Sequence, residues 1–250
     1  MEIIFLGTSS LDSIPRLGDK CPQCTSGDPR DIRSRSAILI NKKILIDAGP
    51  DILAQIPREW LAKIKTVFLT HSHEDVVGGL AELLKKGTFK VYLSKETLRD
   101  LRKIFKFSNF QIFNQFANNQ VIKDKEVVRV GFEKVQAILV PHSKNTATFG
   151  YLINNKFLYI QDIKNLKPIL PVLKKIKVVA VDGSMFARDF GGHQAMVKTI
   201  KMLKTLKNLK EIYFTHNGHT RIPHAELEKK VKNLGDDRFK VAYDLLEIKL

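Results

Sequence analysis

Residues 66–80, TVFLTHSHEDVVGGL, pack His71, His73 and Asp75 into five positions at the end of a β-branched and aromatic run. Thr66, Val67, Phe68 and Leu69 read as a core strand, and Val76, Leu80, Leu83 and Leu84 recur at helical spacing before Gly87. The polar residues therefore sit on a strand-to-helix turn. In extended chain, side chains at i and i+2 point the same way, so His71 and His73 can chelate one ion while Asp75, on the first helical turn, faces a neighbouring position.

Further ligand types follow other strand-like runs. His142 follows residues 135–140, Asp162 follows Phe157–Ile160, His193 follows Gly191 and Gly192, and His216 and His219 follow residues 212–214. Strand ends are where layered folds gather functional groups. Singly, His142 and His193 also fit hydrogen-bonded core or turn residues, and Asp47, before Ala48 and Gly49, also fits a turn. His224, after Pro223 at a helix start, reads as a surface or capping residue. Arg33 and Arg35 have the chemistry to grip a phosphate, but in a basic chain they read first as surface ion pairs.

The elements that must position these residues are legible in outline. An apolar strand at 2–6 runs into Gly7, Thr8, Ser9 and Ser10, and a polar excursion carrying Cys21 and Cys24 extends to about Arg35. Residues 36–40 and 43–46 flank Asn41 and Lys42 as a hairpin, and 148–160 form another around Asn154 and Asn155. Residues 95–107 have the pattern of an amphipathic helix, and 111–116 and 125–139 of strands. The second half alternates: helix 166–174, strand 178–181, helix 194–204, strand 211–214, and a helix opened by Pro223. Two sheets packed face to face with helices outside accommodate this order, as a single domain over 1–250.

A chain of 250 residues with 44% hydrophobic content can bury a substantial core. It has no apolar run long enough to span a bilayer and no signal-peptide pattern at its start, so the expectation is a soluble, cytoplasmic protein without a membrane partner. In a reducing compartment, the C-x-x-C pair Cys21 and Cys24 suggests metal or redox chemistry before a disulfide; a metal-free thiol pair is the plainer alternative. The formal charge of +16 suits a polyanion or a phosphorylated metabolite. The lysines, however, are spread over several helix faces, without the aromatic interleaving of a single-strand platform.

The order HSHED after a strand, a lone His in PHS, an Asp in YIQD, then GGH and THNGH resembles the metallo-β-lactamase-fold hydrolases over nearly the whole chain. Within them it is most similar to the phosphoribosyl 1,2-cyclic phosphate phosphodiesterases, which combine GT-x-S at the start, an early cysteine cluster, LIDAG, and THxGH near the end. The resemblance implies an α/β, four-layer αββα sandwich of two mixed sheets. It makes His71, His73 and His142 ligands of a first Zn²⁺ or Mn²⁺ ion, Asp75 and His216 ligands of a second, and Asp162 a bridge. Asp75 and His193 become the catalytic side chains, and Asp47 an acceptor that orients a ligand histidine.

This chain departs from the pattern His-x-His-x-Asp-His at Val76, which cannot bind a metal. A weaker second ion, a mononuclear enzyme and a chain that has lost catalysis all remain open, with catalysis favoured by the other ligands. Cys21 and Cys24 resemble two members of a three-cysteine cluster that holds a structural Zn²⁺ with a late histidine. Asp19 stands where the first cysteine belongs, so the implied set is Asp19, Cys21, Cys24 and His219. The expected function is metal-dependent hydrolysis of a small-molecule phosphodiester, in a cyclic phosphate or nucleotide-like metabolite, by a metal-activated hydroxide. A nuclease on RNA or DNA and a non-catalytic binding protein are the alternatives, and a homodimer is compatible with all three.

Overall fold

The computed structural model describes residues 1–107, 119–144 and 147–250; the strand expected at 111–116 lies outside them. Strands β1 (Glu2–Gly7), β2 (Ala37–Ile40), β3 (Ile44–Ile46), β4 (Thr66–Phe68), β5 (Lys90–Leu93) and β6 (Gln120–Val121) build one sheet with β14 (Leu246–Lys249), in the order β14-β1-β2-β3-β4-β5-β6. The other sheet holds β7 (Val127–Val130), β8 (Glu133–Val140), β9 (Thr148–Ile153), β10 (Phe157–Ile160), β11 (Val178–Asp182), β12 (Glu211–Thr215) and β13 (Phe239–Val241), in the order β13-β12-β11-β10-β9-β8-β7. Each sheet is mixed: β3 to β6 run parallel, as do β10 to β13, and the remaining neighbours are antiparallel.

The strands read as continuous apolar runs because both faces of each sheet are covered. Ile3, Phe5, Ile38, Ile40 and Ile46 meet Tyr151, Phe157, Tyr159 and Tyr213 between the sheets. Their neighbours Ile4, Leu6, Leu39 and Leu45 turn the other way, toward Ile52, Leu80, Leu84 and Leu101 of the helices. On the far side Leu158, Ile160, Val181 and Phe214 pack on Met196, Ile200, Leu203 and Val231. Helix, sheet, sheet, helix is the αββα layering implied by the resemblance. Both expected hairpins form, with Asn41 and Lys42 (φ 48 and 53) and Asn154 and Asn155 (φ 52 and 56) in the left-handed conformation that a type I′ turn demands.

The helix expected after His73 is two helices, α3 (Glu74–Val77) and α4 (Leu80–Leu84). The break comes from close approach to the turn after β3. Ala48 N–H donates to Val76 O and Gly79 N–H to Ala48 O, at 2.8 and 2.9 Å. A Cβ on Gly49 would stand 2.2 Å from Asp75 O. The glycine of LIDAG is thus a packing requirement that locks the Asp47 turn against the Asp75 turn.

Two side-chain readings are corrected. His224 is buried, 1% exposed, at the start of α8 (His224–Leu234), where its N–H donates to Asp31 at 2.8 Å. Arg33 is also buried; it donates to Thr8 Oγ1 at 2.8 Å, to Ala242 O, and to His224 Nδ1 at 2.7 Å. Arg35 pairs with Asp51 at 2.9 Å. The arginines therefore fasten the 8–35 excursion to the sheets. Arg33→Ala strands three polar partners and should cost about 3–5 kcal/mol in chemical denaturation.

Burial, with Arg33 and Arg30 beside it, lowers the His224 pKa to about 3. The unfolded chain therefore takes up a proton that the folded chain refuses as pH falls below about 6.5. Stability should drop from pH 7 to pH 5 by about 2 kcal/mol on this account, and the drop should be smaller by that amount in His224→Gln.

Candidate metal centre

Parallel strands end at the same edge of a sheet, and that edge carries the chemistry. Asp47 follows β3, His71 and His73 follow β4, His142 follows β8, Asp162 follows β10, Asp182 ends β11, and His216 follows β12. The rings of His71 and His73 lie 4.2 Å apart, and His142 is 5.3 and 5.2 Å from them. One nitrogen from each of the three falls within 4.8 Å of the others.

Hydrogen bonds fix which nitrogens face inward. Asp47 accepts the Thr70 N–H at 2.8 Å and the Thr70 hydroxyl at 3.0 Å, so Thr70 Oγ1 is left to accept from His71 Nδ1, also at 3.0 Å. His142 Nδ1 donates to Gly192 O at 3.1 Å. Gly192 has φ +95, and a Cβ there would meet His142 Nδ1 at 3.2 Å, so glycine is what permits that approach. The Nε2 atoms of His71 and His142 and Oδ2 of Asp162 are buried without a hydrogen-bond partner. His71 Nε2 stands 3.7 Å from Asp162 Oδ2, and His142 Nε2 stands 3.8 Å from Asp162 Oδ1. Bare acceptors of this kind are costly to bury, and three imidazole nitrogens with a carboxylate suit a divalent cation. Burial also lowers the His71 pKa to about 3, which keeps its lone pair available.

A second position lies beside the first. His216 Nε2 is 3.3 Å from Asp162 Oδ1 and 3.7 Å from Asp75 Oδ2. Burial opposes charge on His216, but the carboxylates of Asp162 and Asp75 outweigh it and raise its pKa to about 10. Burial raises the Asp75 pKa. It opposes the Asp162 charge as well, yet His216 and His71 hold that carboxylate well below its ordinary range. Val76 is fully buried among Ala48, Val77 and Leu80, so the position after Asp75 serves the helix-side core. Asp47 (φ 69) and His216 (φ 55) both hold left-handed backbone, which costs a non-glycine residue roughly 1–3 kcal/mol and is characteristic of functional turns.

His193 faces the same floor from the 190–193 turn, its Nδ1 3.4 Å from Asp162 Oδ1 and 2.7 Å from Asp182 Oδ2. Asp182 is fully buried and also accepts Ser184 N–H, Ser184 Oγ–H and Ile163 N–H. Burial works against a charged His193, but the bond and charge of Asp182 raise its pKa above the ordinary value. Thr70, Asp182 and Gly192 escaped the sequence reading. Asp182 carried a usable signal, an aspartate closing an apolar strand as Asp47 and Asp162 do.

The cysteine set also assembles. His219 Nε2 is 3.1 Å from Cys21 Sγ, 3.3 Å from Cys24 Sγ and 3.5 Å from Asp19 Oδ2. Backbone N–H groups of Arg16 and Cys24 point at the sulfurs, and Cys21 N–H holds Asp19 Oδ1 at 2.8 Å. Two sulfurs, an imidazole and a carboxylate in so small a volume fit a tetrahedral cation. His219 and Arg16 also line a cleft of about 640 Å³ whose floor is His73, Asp75, Asp162, His193 and His216.

A family model described as "Beta-lactamase superfamily domain" matches residues 42–217. The chain belongs to that family. Two solved structures share the metallo-β-lactamase fold over almost all of it: a diphosphatase from the PhnP family (TM-score 0.82, 24% identity, 99% of this chain and 97% of that one), and Zn(2+)-bound PqqB from Methylobacterium extorquens (TM-score 0.83, 22% identity, 100% of both). An octanoyltransferase of Porphyromonas gingivalis is 26% identical over 243 residues, 91% of this chain and 48% of that protein. The chain spans about half the length of the curated relatives it matches. Elemental analysis should find one fewer zinc per chain in Cys21→Ser than in the wild type; equal counts would mean the cysteines hold no ion.

Proposed function

We propose that this member of the β-lactamase superfamily hydrolyses a phosphodiester in a small metabolite, cyclic or nucleotide-like, to a phosphomonoester. The observation that carries the reading is the set of bare, buried acceptors on His71, His142 and Asp162, which gather with His73 beneath an open cleft that His73 and Asp162 line. Those four residues would hold one divalent cation, zinc or manganese, and Asp75, Asp162 and His216 are placed to hold a second. A cation there supplies Lewis acidity, lowering the pKa of water toward neutrality and offsetting charge on a phosphoryl group.

The protein's own groups do the rest. Asp75 is placed to take the proton of the attacking water as the new P–O bond forms. His193 keeps Nδ1 on Asp182 and presents Nε2 to the cleft, where it can protonate the leaving alkoxide as the old P–O bond breaks. Asp182 is a positioning residue that fixes this tautomer. Ser184 donates its hydroxyl to Asp182 at 2.6 Å and so helps to hold that carboxylate beside His193. Zinc also suits the Asp19, Cys21, Cys24 and His219 set, which would brace the excursion against the cleft. The nuclease alternative has weaker support: among the described residues lining the cleft, Arg16 is the one lysine or arginine, and it lies 2.5 Å from Asp12.

Protein loaded with zinc or manganese should hydrolyse bis(p-nitrophenyl) phosphate, and His73→Ala or Asp162→Ala should abolish the activity. Hydrolysis that survives either change belongs to a contaminant, and none in the wild type would sink the reading. Asp182→Asn should lower kcat about 10- to 100-fold while metal content and KM stay near wild type. Parallel loss of metal would make Asp182 structural instead.

A further inference from the structure

Above its polar floor, the cleft has an apolar wall. Leu11, from the loop after β1, and Phe190, from the loop after β11, border its mouth, 62% and 72% exposed, and Met185, Phe186 and Ile222 continue the wall inward. Scattered exposed apolar side chains are ordinary, but these share one cavity with the metal-ligand cluster. Phe190 is also tied to the chemistry by its backbone. Phe190 and His193 exchange N–H···O bonds of 3.1 and 2.9 Å across Gly191 and Gly192, so one tight turn carries both the exposed ring and the imidazole.

Charge points the same way. Arg16, the cationic residue of the wall, is already paired with Asp12, and the other polar lining away from the floor is the hydroxyls of Ser10, Ser184 and Thr220 together with His219, which sits on the cysteines. A volume of about 640 Å³ is far larger than one phosphate group and lies within the range of about 300–1,000 Å³ that encloses a whole organic ligand.

We infer that the substrate's ester arm is an uncharged aromatic ring, held between Leu11 and Phe190 while the phosphate sits on the histidine floor. This rests on the phosphodiesterase reading and narrows it, from any small diester to one carrying a flat ring. Aromatic faces at the mouth favour offset or edge contacts with such a ring, whereas an arm bearing its own negative charge would meet a cation already neutralised. Phe190 and Leu11 are then specificity-determining residues, and they do not touch the reacting atoms.

Phenylphosphonate and methylphosphonate share an anionic head and differ in the ring, so they test the wall separately from the chemistry. As competitive inhibitors of bis(p-nitrophenyl) phosphate hydrolysis, the phenyl compound should have a Ki at least ten-fold lower. Phe190→Ala should shrink that ratio below three-fold, with methylphosphonate inhibiting variant and wild type within two-fold. Leu11→Ser, on a separate loop, should shrink the ratio as well and guards against disturbance of the His193 turn. Equal Ki values in the wild type, or a ratio untouched by both variants, would overturn the inference while leaving the hydrolase reading intact. If the reporter is not hydrolysed at all, the hydrolase reading fails. Calorimetric binding of the two phosphonates then still decides the wall, by the same ten-fold criterion.

Discussion

Carboxylates and imidazoles held out of water at one edge of a sandwich are the constraint on which the rest depends. Asp75, Asp162, His71, His142 and His216 are all nearly or fully buried, and four of them leave a side-chain nitrogen or oxygen without a partner. Uncompensated burial of this kind is among the costlier arrangements open to a folded chain. The two cores on the sheets' outer faces and the third between the sheets must hold that edge in place, and a cation relieves its cost. Fold and function are therefore coupled at one place: parallel strands deliver donors to a common edge, and the donors need an ion.

The supporting bonds show how narrowly that edge is specified. Three of the rings are set by a partner at one nitrogen: Thr70 and, behind it, Asp47 for His71, Gly192 O for His142, and Asp182 for His193. Asp47 thus reaches His71 through the Thr70 hydroxyl and not by direct contact. Left-handed backbone at Asp47 and His216 is tolerated because the neighbouring backbone fixes it: Asp47 N–H bonds to Phe68 O, and the N–H of Asn217, next to His216, bonds to Thr8 O. The turn after β12 serves two clusters at once, with His216 on the histidine floor and His219 on the cysteines.

Much of this was legible in the chain. Period-two spacing made His71 and His73 partners, and asparagine at φ-positive turns marked both hairpins. The strand-then-ligand pattern located His142, Asp162 and His216. What escaped had no local signature. Thr70 looks like one more β-branched strand residue, and its role exists only because Asp47 arrives from another strand. The burial of His224 depends on Arg33, distant in sequence and brought near by the excursion. Gly78 and Gly79 were visible inside a helical pattern, but the reason for the break, Gly49 pressed against Asp75 O, is tertiary.

Anomalous diffraction at the zinc and manganese edges, from crystals grown without chelator, tests the central claim most directly. The account predicts a peak enclosed by His71, His73, His142 and Asp162. A histidine cluster without a peak, in crystals soaked with either metal, would contradict the claim that these buried acceptors exist to hold a cation.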